Sequence, residues 1–115
     1  MKLKSGESEV EIKIIRRSNP NAIDYWDGNW LISEVKVSIN GMKAIYKTNF
    51  RADDFERFKN DLVKVKDKNS TNIEFTTMEE GLYLKGQLEI DGNVKWEGLA
   101  KGPDNNKLKF KIETG

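Results

Sequence analysis

Val35-Lys36-Val37-Ser38-Ile39-Asn40-Gly41-Met42-Lys43-Ala44-Ile45-Tyr46 decides the fold of this chain, because an Asn-Gly pair separates two runs in which apolar and polar residues alternate. Asn-Gly is the strongest short-range hairpin signal. It fits a two-residue loop with positive φ at both positions, which Asn tolerates and Gly adopts freely. Pairing Ile39 with Met42 sets Val37 opposite Ala44, Val35 opposite Tyr46 and Leu31 opposite Phe50 on one face, while Glu34 meets Lys47 on the other. Both faces agree, and a slip of one residue would destroy both matches, so the register is specified over the whole hairpin.

Upstream, Val10, Ile12 and Ile14 alternate with Glu9, Glu11 and Lys13, giving a first strand that ends near the turn residues Asn19-Pro20-Asn21. Downstream, Asp53-Asp54-Phe55-Glu56 reads as a helix start, with Asp53 as cap and Glu56 closing a box three residues on. Phe55, Phe58, Leu62 and Val65 form a narrow apolar stripe on a charged helix, which fades at Asp67-Lys68-Asn69-Ser70. Strand character resumes at Asn72. A loop through Met78-Glu79-Glu80-Gly81 sets Phe75 against Leu84 and Glu74 against Lys85. A three-residue loop, Asp91-Gly92-Asn93, sets Leu88 against Trp96 and Glu89 against Lys95, with Gly92 or Asn93 left-handed. After Gly102-Pro103-Asp104-Asn105-Asn106, the last strand can oppose Trp96 with Ile112 and Glu97 with Lys111.

These elements predict an α+β fold: a mostly antiparallel curled sheet or sandwich of about seven strands, with one helix inserted after the third. Seven strands make a sheet roughly 29 Å wide, whereas one helix covers a stripe about 10 Å across. One helix cannot roof a flat sheet, so the sheet must curl or fold over and the helix close an open side. No repeat or linker divides residues 1–115, which read as a single domain.

Composition narrows the chemistry. The chain has no His and no Cys, which removes imidazole acid/base work, thiol nucleophiles and the usual zinc ligands. Asp27-Gly28-Asn29 has the centre of a calcium loop without its other ligands, so the expectation is no metal and no cofactor. Twenty basic residues against nineteen acidic ones give a net charge of +1 with both signs interspersed, which favours neither a nucleic-acid partner nor a mimic of one. Arg16-Arg17 and the alternating Lys64, Lys66 and Lys68 are local basic clusters that read as solvated surface. Met1 to Glu7 has no apolar run that would serve as a signal core, and no window reaches the length of a membrane span. The expectation is a cytoplasmic protein with no membrane partner.

The densest cluster of interaction chemistry is Asp24-Tyr25-Trp26-Asp27-Gly28-Asn29-Trp30-Leu31. It reads as a turn opening into a strand. Tyr25, Trp26 and Trp30 offer rigid apolar area beside the polar groups of Asp24, Asp27 and Asn29, and Trp30 has the opposite parity to Leu31, Val35 and Val37. Two readings are open: a binding surface, or a plug over the end of the sheet. Trp96, Phe75, Phe110, Phe50 and Tyr46 have inward parity and read as core. Asp24 with Asp27, or Glu79 with Glu80, have the residue types of a glycosidase pair, but turn formation accounts for them more simply. No catalytic set emerges, and the chain reads as a binding protein rather than an enzyme.

Asp24 to Leu31, the helix entry Asn49-Phe50-Arg51-Ala52-Asp53-Asp54-Phe55-Glu56-Arg57-Phe58 and the late Gly102 to Phe110 segment, with Asn106-Lys107-Leu108-Lys109-Phe110, resemble the WapI family of bacterial immunity proteins. That resemblance implies a cytoplasmic protein that neutralises the toxin domain of a cell-wall-associated, contact-dependent toxin acting on RNA, while the exposed edges of an open sheet allow a monomer or a homodimer. It carries no catalytic residue across. Near neutrality argues for steric blockade through an aromatic-anchored surface around Asp24, Tyr25, Trp26, Asp27, Asn29 and Trp30 rather than for charge mimicry. The alternative is a ligand-binding β module, for a saccharide for example, in which Tyr25, Trp26 and Trp30 are stacking platforms.

Overall fold

The structure, a computed structural model, describes residues 1–17, 30–77 and 81–115. Its elements are β1 (Lys2–Ser5), β2 (Ser8–Arg17), β3 (Trp30–Ile39), β4 (Met42–Arg51), α1 (Ala52–Lys66), β5 (Asn72–Phe75), β6 (Leu82–Leu88), β7 (Val94–Lys101) and β8 (Lys107–Thr114). They form two four-stranded antiparallel sheets, β1-β2-β3-β4 and β5-β6-β7-β8. The described strands number eight rather than about seven, and α1 follows the fourth, because Lys2-Leu3-Lys4-Ser5 adds an edge strand. Its single apolar residue, Leu3, opposite Val10, is too little alternation to read from sequence.

The deciding hairpin forms in the expected register, with Ile39 opposite Met42, Val35 opposite Tyr46, Glu34 opposite Lys47 and Leu31 opposite Phe50. Asn40 and Gly41 have φ of 47° and 85°, as the two-residue turn requires. On its other side β3 pairs with β2, Val10 opposite Val37 and Ile12 opposite Val35, until a bulge between Ile14 and Arg16 shifts the register. The expected turn at Asn19-Pro20-Asn21 and the loop residues Met78-Glu79-Glu80 lie outside the described residues.

In the second sheet Phe75 faces Leu84 and Glu74 faces Lys85, and Trp96 faces Ile112 with Glu97 against Lys111, all as expected. The β6–β7 register differs from the expected one. Trp96 lies opposite Gly86, Gln87 opposite Lys95 and Leu88 opposite Val94. The loop does have three residues, but they are Ile90, Asp91 and Gly92. Gly92 N–H donates to the Glu89 carbonyl at 3.0 Å and Glu89 N–H to the Asn93 carbonyl at 2.8 Å. Gly92, with φ of 88°, is the left-handed residue that ends such a loop, and this slides the pairing by two. A shift of two preserves the faces, and it brings Gly86 beneath the Trp96 ring, where an added Cβ would come within 2.8 Å of ring carbons.

The helix starts two residues earlier than the Asp53 cap implied. Arg51 is the N-cap, and its N–H donates to Asp54 Oδ2 at 2.8 Å, so the carboxylate three residues into the helix closes the cap and Glu56 stays exposed. Phe58 is buried, and Phe55 and Val65 pack against the core, but Leu62 is 39% exposed. The line facing the protein runs through Asp54, Phe58, Asp61 and Val65, and Leu62 lies one step off it. Asp61 Oδ2 accepts the Glu74 N–H at 3.1 Å, so α1 covers the edge of β5 with a hydrogen bond as well as with apolar area.

The core fills the space between the inner faces: Val10, Ile12, Val35, Val37 and Phe50 from one sheet, Ile73, Phe75, Leu82, Leu84, Trp96, Phe110 and Ile112 from the other. Phe75 is its centre, meeting Phe50 at 5.4 Å and Phe58 at 5.5 Å in edge-on geometry and Phe55 at 5.5 Å. One ring therefore joins both sheets and the helix, each aromatic pair adding about 0.5–1.5 kcal/mol beyond its buried area. Tyr46 adds a polar tie, its hydroxyl donating to the Gly81 carbonyl at 2.5 Å.

Candidate functional site

Of the six residues expected to form a binding surface, the structure describes Trp30; Asp24, Tyr25, Trp26, Asp27 and Asn29 lie outside the described residues, as does the pair Glu79 and Glu80. Trp30 opens β3 directly after that segment and is half-buried. Its side chain stands on the face opposite Val35 and Val37, and its cross-strand partner is Arg51, the last residue of β4.

Arg51 holds Trp30 in place. Its guanidinium carbon sits 5.7 Å from the centroid of the Trp30 ring, a cation–π contact worth about 0.5–2 kcal/mol depending on its desolvation. The Arg51 side chain is buried, with Nη2 3.6 Å from Asp53 Oδ2. Behind it the buried Asp54 carboxylate accepts the Arg51 N–H through Oδ2 and Arg57 Nη2 at 2.6 Å through Oδ1. Arg57 in turn reaches the Thr76 carbonyl at 3.5 Å. Two linked sets of contacts thus meet at the end of the first sheet, where the helix begins: the Arg51 guanidinium with the Trp30 ring and Asp53, and the Asp54 carboxylate with the Arg51 backbone amide and Arg57.

This arrangement fixes one partly exposed aromatic ring at the first residue of β3. A rigid, partly exposed Trp backed by desolvated charge is the chemistry of an interface anchor. The sequence reading named Trp30 but missed its support. Arg51 is an unusual N-cap, and nothing in the order of residues says that its side chain turns back over β3. The signal that was available is the parity of Trp30 and Arg51, which the hairpin register places directly opposite each other.

The other aromatics keep to the core as their parity implied, Phe50, Phe75, Trp96, Phe110 and Tyr46 all being buried. Burial pushes the Tyr46 phenol up from its ordinary 10.0 to about 12, partly offset by its backbone hydrogen bond with Lys101. Among the described residues no group of three or more Asp and Glu gathers as a metal site, and no described helix is long and apolar enough to cross a membrane.

The immunity protein WapI-like family matches residues 2–115, and the chain belongs to that family. No curated protein and no solved structure matches it.

Proposed function

From that membership, we propose that this chain is a non-catalytic cytoplasmic protein that binds a cognate toxin domain and blocks it sterically, protecting the cell that makes the toxin or its siblings. The observation that carries the reading is the family match, which runs over residues 2–115. The contact surface is assigned to Asp24, Tyr25, Trp26, Asp27, Asn29 and Trp30. Supporting it, the Arg51 guanidinium stacked over Trp30 holds that anchor ready before a partner arrives, which lowers the ordering cost of binding. The net charge of +1 supports blockade by shape over imitation of a nucleic acid.

The experiment is co-expression with a toxin domain of the class that this family neutralises, sought first in the genes beside this one, scored as survival of the host. Survival with the unaltered protein, together with lost protection and an unchanged melting temperature for Trp26→Ala and Asp24→Ala, supports both the function and the surface. Host death despite a folded, expressed protein overturns the function. Protection retained by both variants moves the surface elsewhere, and a large fall in their melting temperature makes the segment part of the core.

A further inference from the structure

The edge of β4 borders a groove that none of the preceding argument uses. β4 pairs with β3 on one side and with no described strand on the other. The pair that closes a two-residue hairpin exchanges both its hydrogen bonds, as does every second pair beyond it. Met42, Ala44 and Tyr46 therefore bond to β3, while Lys43, Ile45 and Lys47 turn their N–H and C=O groups to the other side. Along that side runs a groove of about 500 Å³, walled by Met42, Ala44, Ile45 and Tyr46 from β4 and by Pro103 and Leu108 from the β7–β8 turn and β8. Met42 is 56% exposed and Ile45 54% exposed. The charged residues lining the groove, Lys43 and Lys107, are both cations.

A strand edge with no described strand beside it, backbone groups turned to that side and exposed apolar side chains are together what an added strand needs. Charge decides which strand fits. A second copy of β4 laid antiparallel about Ile45 would set Lys43 against Lys47 at both ends, the like-charge pairing that protects natural edges from self-association. An extended segment with apolar residues facing Met42 and Ile45 and carboxylates facing Lys43 and Lys47 has no such penalty.

We propose that the β4 edge from Lys43 to Lys47 is a docking site for an extended, acidic segment of the partner toxin domain, added as a fifth strand to the first sheet. The partner's identity rests on the immunity reading. The site lies towards the turn of the β3–β4 hairpin, its centre at Ile45 six residues along β4 from Arg51, the partner of Trp30, and so roughly 20 Å away at about 3.3 Å per residue, and the two surfaces can be tested separately.

The test is calorimetric titration of the protein with a catalytically inactive form of the toxin domain against which it protects in the co-expression experiment. Ile45→Pro removes one edge-facing N–H, a position where Pro is tolerated because the ladder to β3 does not use it. Lys43→Glu with Lys47→Glu reverses the charge and leaves the backbone intact. Each is expected to raise Kd by about tenfold or more, Ile45→Pro at an unchanged melting temperature and the charge reversal with a small fall because it sets like charges across from Glu34, and hydrogen exchange at the Lys43, Ile45 and Lys47 amides is expected to slow in the complex. If Ile45→Pro fails to fold, the charge reversal and the exchange measurement carry the test. Affinity within twofold for the charge-reversed variant, or unaltered exchange at the three amides, overturns the docking site while leaving the immunity reading in place. Absence of binding by the unaltered protein removes both. Dimerisation of the protein alone that Ile45→Pro abolishes would assign the edge to a second copy and overturn the proposal.

Discussion

Replacing Tyr46 by Phe tests whether the contact between β4 and the start of β6 is understood. The hydroxyl donates to the Gly81 carbonyl at 2.5 Å, and that carbonyl also accepts the Lys101 N–H at 3.1 Å. Its loss leaves no orphaned acceptor, so Tyr46→Phe should cost only about 1 kcal/mol near pH 8. The alkaline range supplies the sharper test. The phenol ionises at about 12 in the folded protein against 10.0 ordinarily, so between those values the folded state holds a proton that the unfolded state has released. Stability linked to Tyr46 is thus complete below pH 10 and falls as pH rises, by about 1.4 kcal/mol per unit and roughly 3 kcal/mol by pH 12. The Phe variant lacks this slope, while every other titrating group is common to both proteins and cancels in the difference. Unfolding free energies from urea titrations at pH 8, 10 and 11 should show a wild-type advantage of about 1 kcal/mol that vanishes near pH 11 and then reverses. A difference that stays constant over this range would refute the reasoning, because the hydroxyl would then be as solvated folded as unfolded.

Three further outcomes can be read from equilibrium unfolding. Gly98→Ala drives a methyl into the Phe110 ring, which lies across Gly98 from β8, and should destabilise by about 2–3 kcal/mol; Gly92→Ala, with open space around it but a φ of 88°, should cost only about 1 kcal/mol. Asp54→Ala removes the acceptor for both the Arg51 amide and Arg57 and should cost about 2 kcal/mol, with a red shift of tryptophan emission as Arg51 and Trp30 loosen. Phe75→Ala opens the centre of the aromatic cluster and should cost about 3–5 kcal/mol, whereas the exposed Ile45→Ala should stay within about 0.5 kcal/mol; equal effects would mean that the core is misplaced.

Registers were legible wherever two independent faces had to agree. For the β3–β4 hairpin, apolar matches such as Val35 with Tyr46 and the charge match of Glu34 with Lys47 admit one alignment, and that is the one formed. At β6–β7 two alignments two residues apart keep the same faces, so alternation alone does not separate them. Contact between the Trp96 ring and Gly86, and the position of Gly92 as the closing loop residue, select between them. Both are three-dimensional facts that a period of two cannot carry. The helix start was misread for a related reason: the acid that closes the cap serves a backbone amide, which any residue supplies, and Arg51 gives no sign of being that residue.

The site was less legible than the fold because binding surfaces obey no period. The β3–β4 hairpin shows where they have room. On its inner face Val35, Val37, Tyr46 and Phe50 are committed to the core, and on its outer face Glu34 and Lys47 face each other across the pair. What the middle of the hairpin leaves over lies towards its ends: Trp30 on Arg51 at one, Met42 and Ile45 on the β4 edge towards the other. A standard interface of about 800 Å² per partner is roughly 30 Å across, enough to span the separation of the two, so one toxin domain can reach both. The two ends would then contribute differently. The aromatic end buries rigid apolar area and governs how slowly the complex dissociates, whereas the cationic edge draws an acidic strand towards it and governs how fast the complex forms and how strongly salt weakens it. Trp30→Ala should therefore act mainly on the dissociation rate, and the charge reversal at Lys43 and Lys47 on the association rate and its dependence on salt. Stopped-flow association at low and high salt separates the two; identical kinetic signatures for both variants would mean that the hairpin's ends do not divide the work in this way.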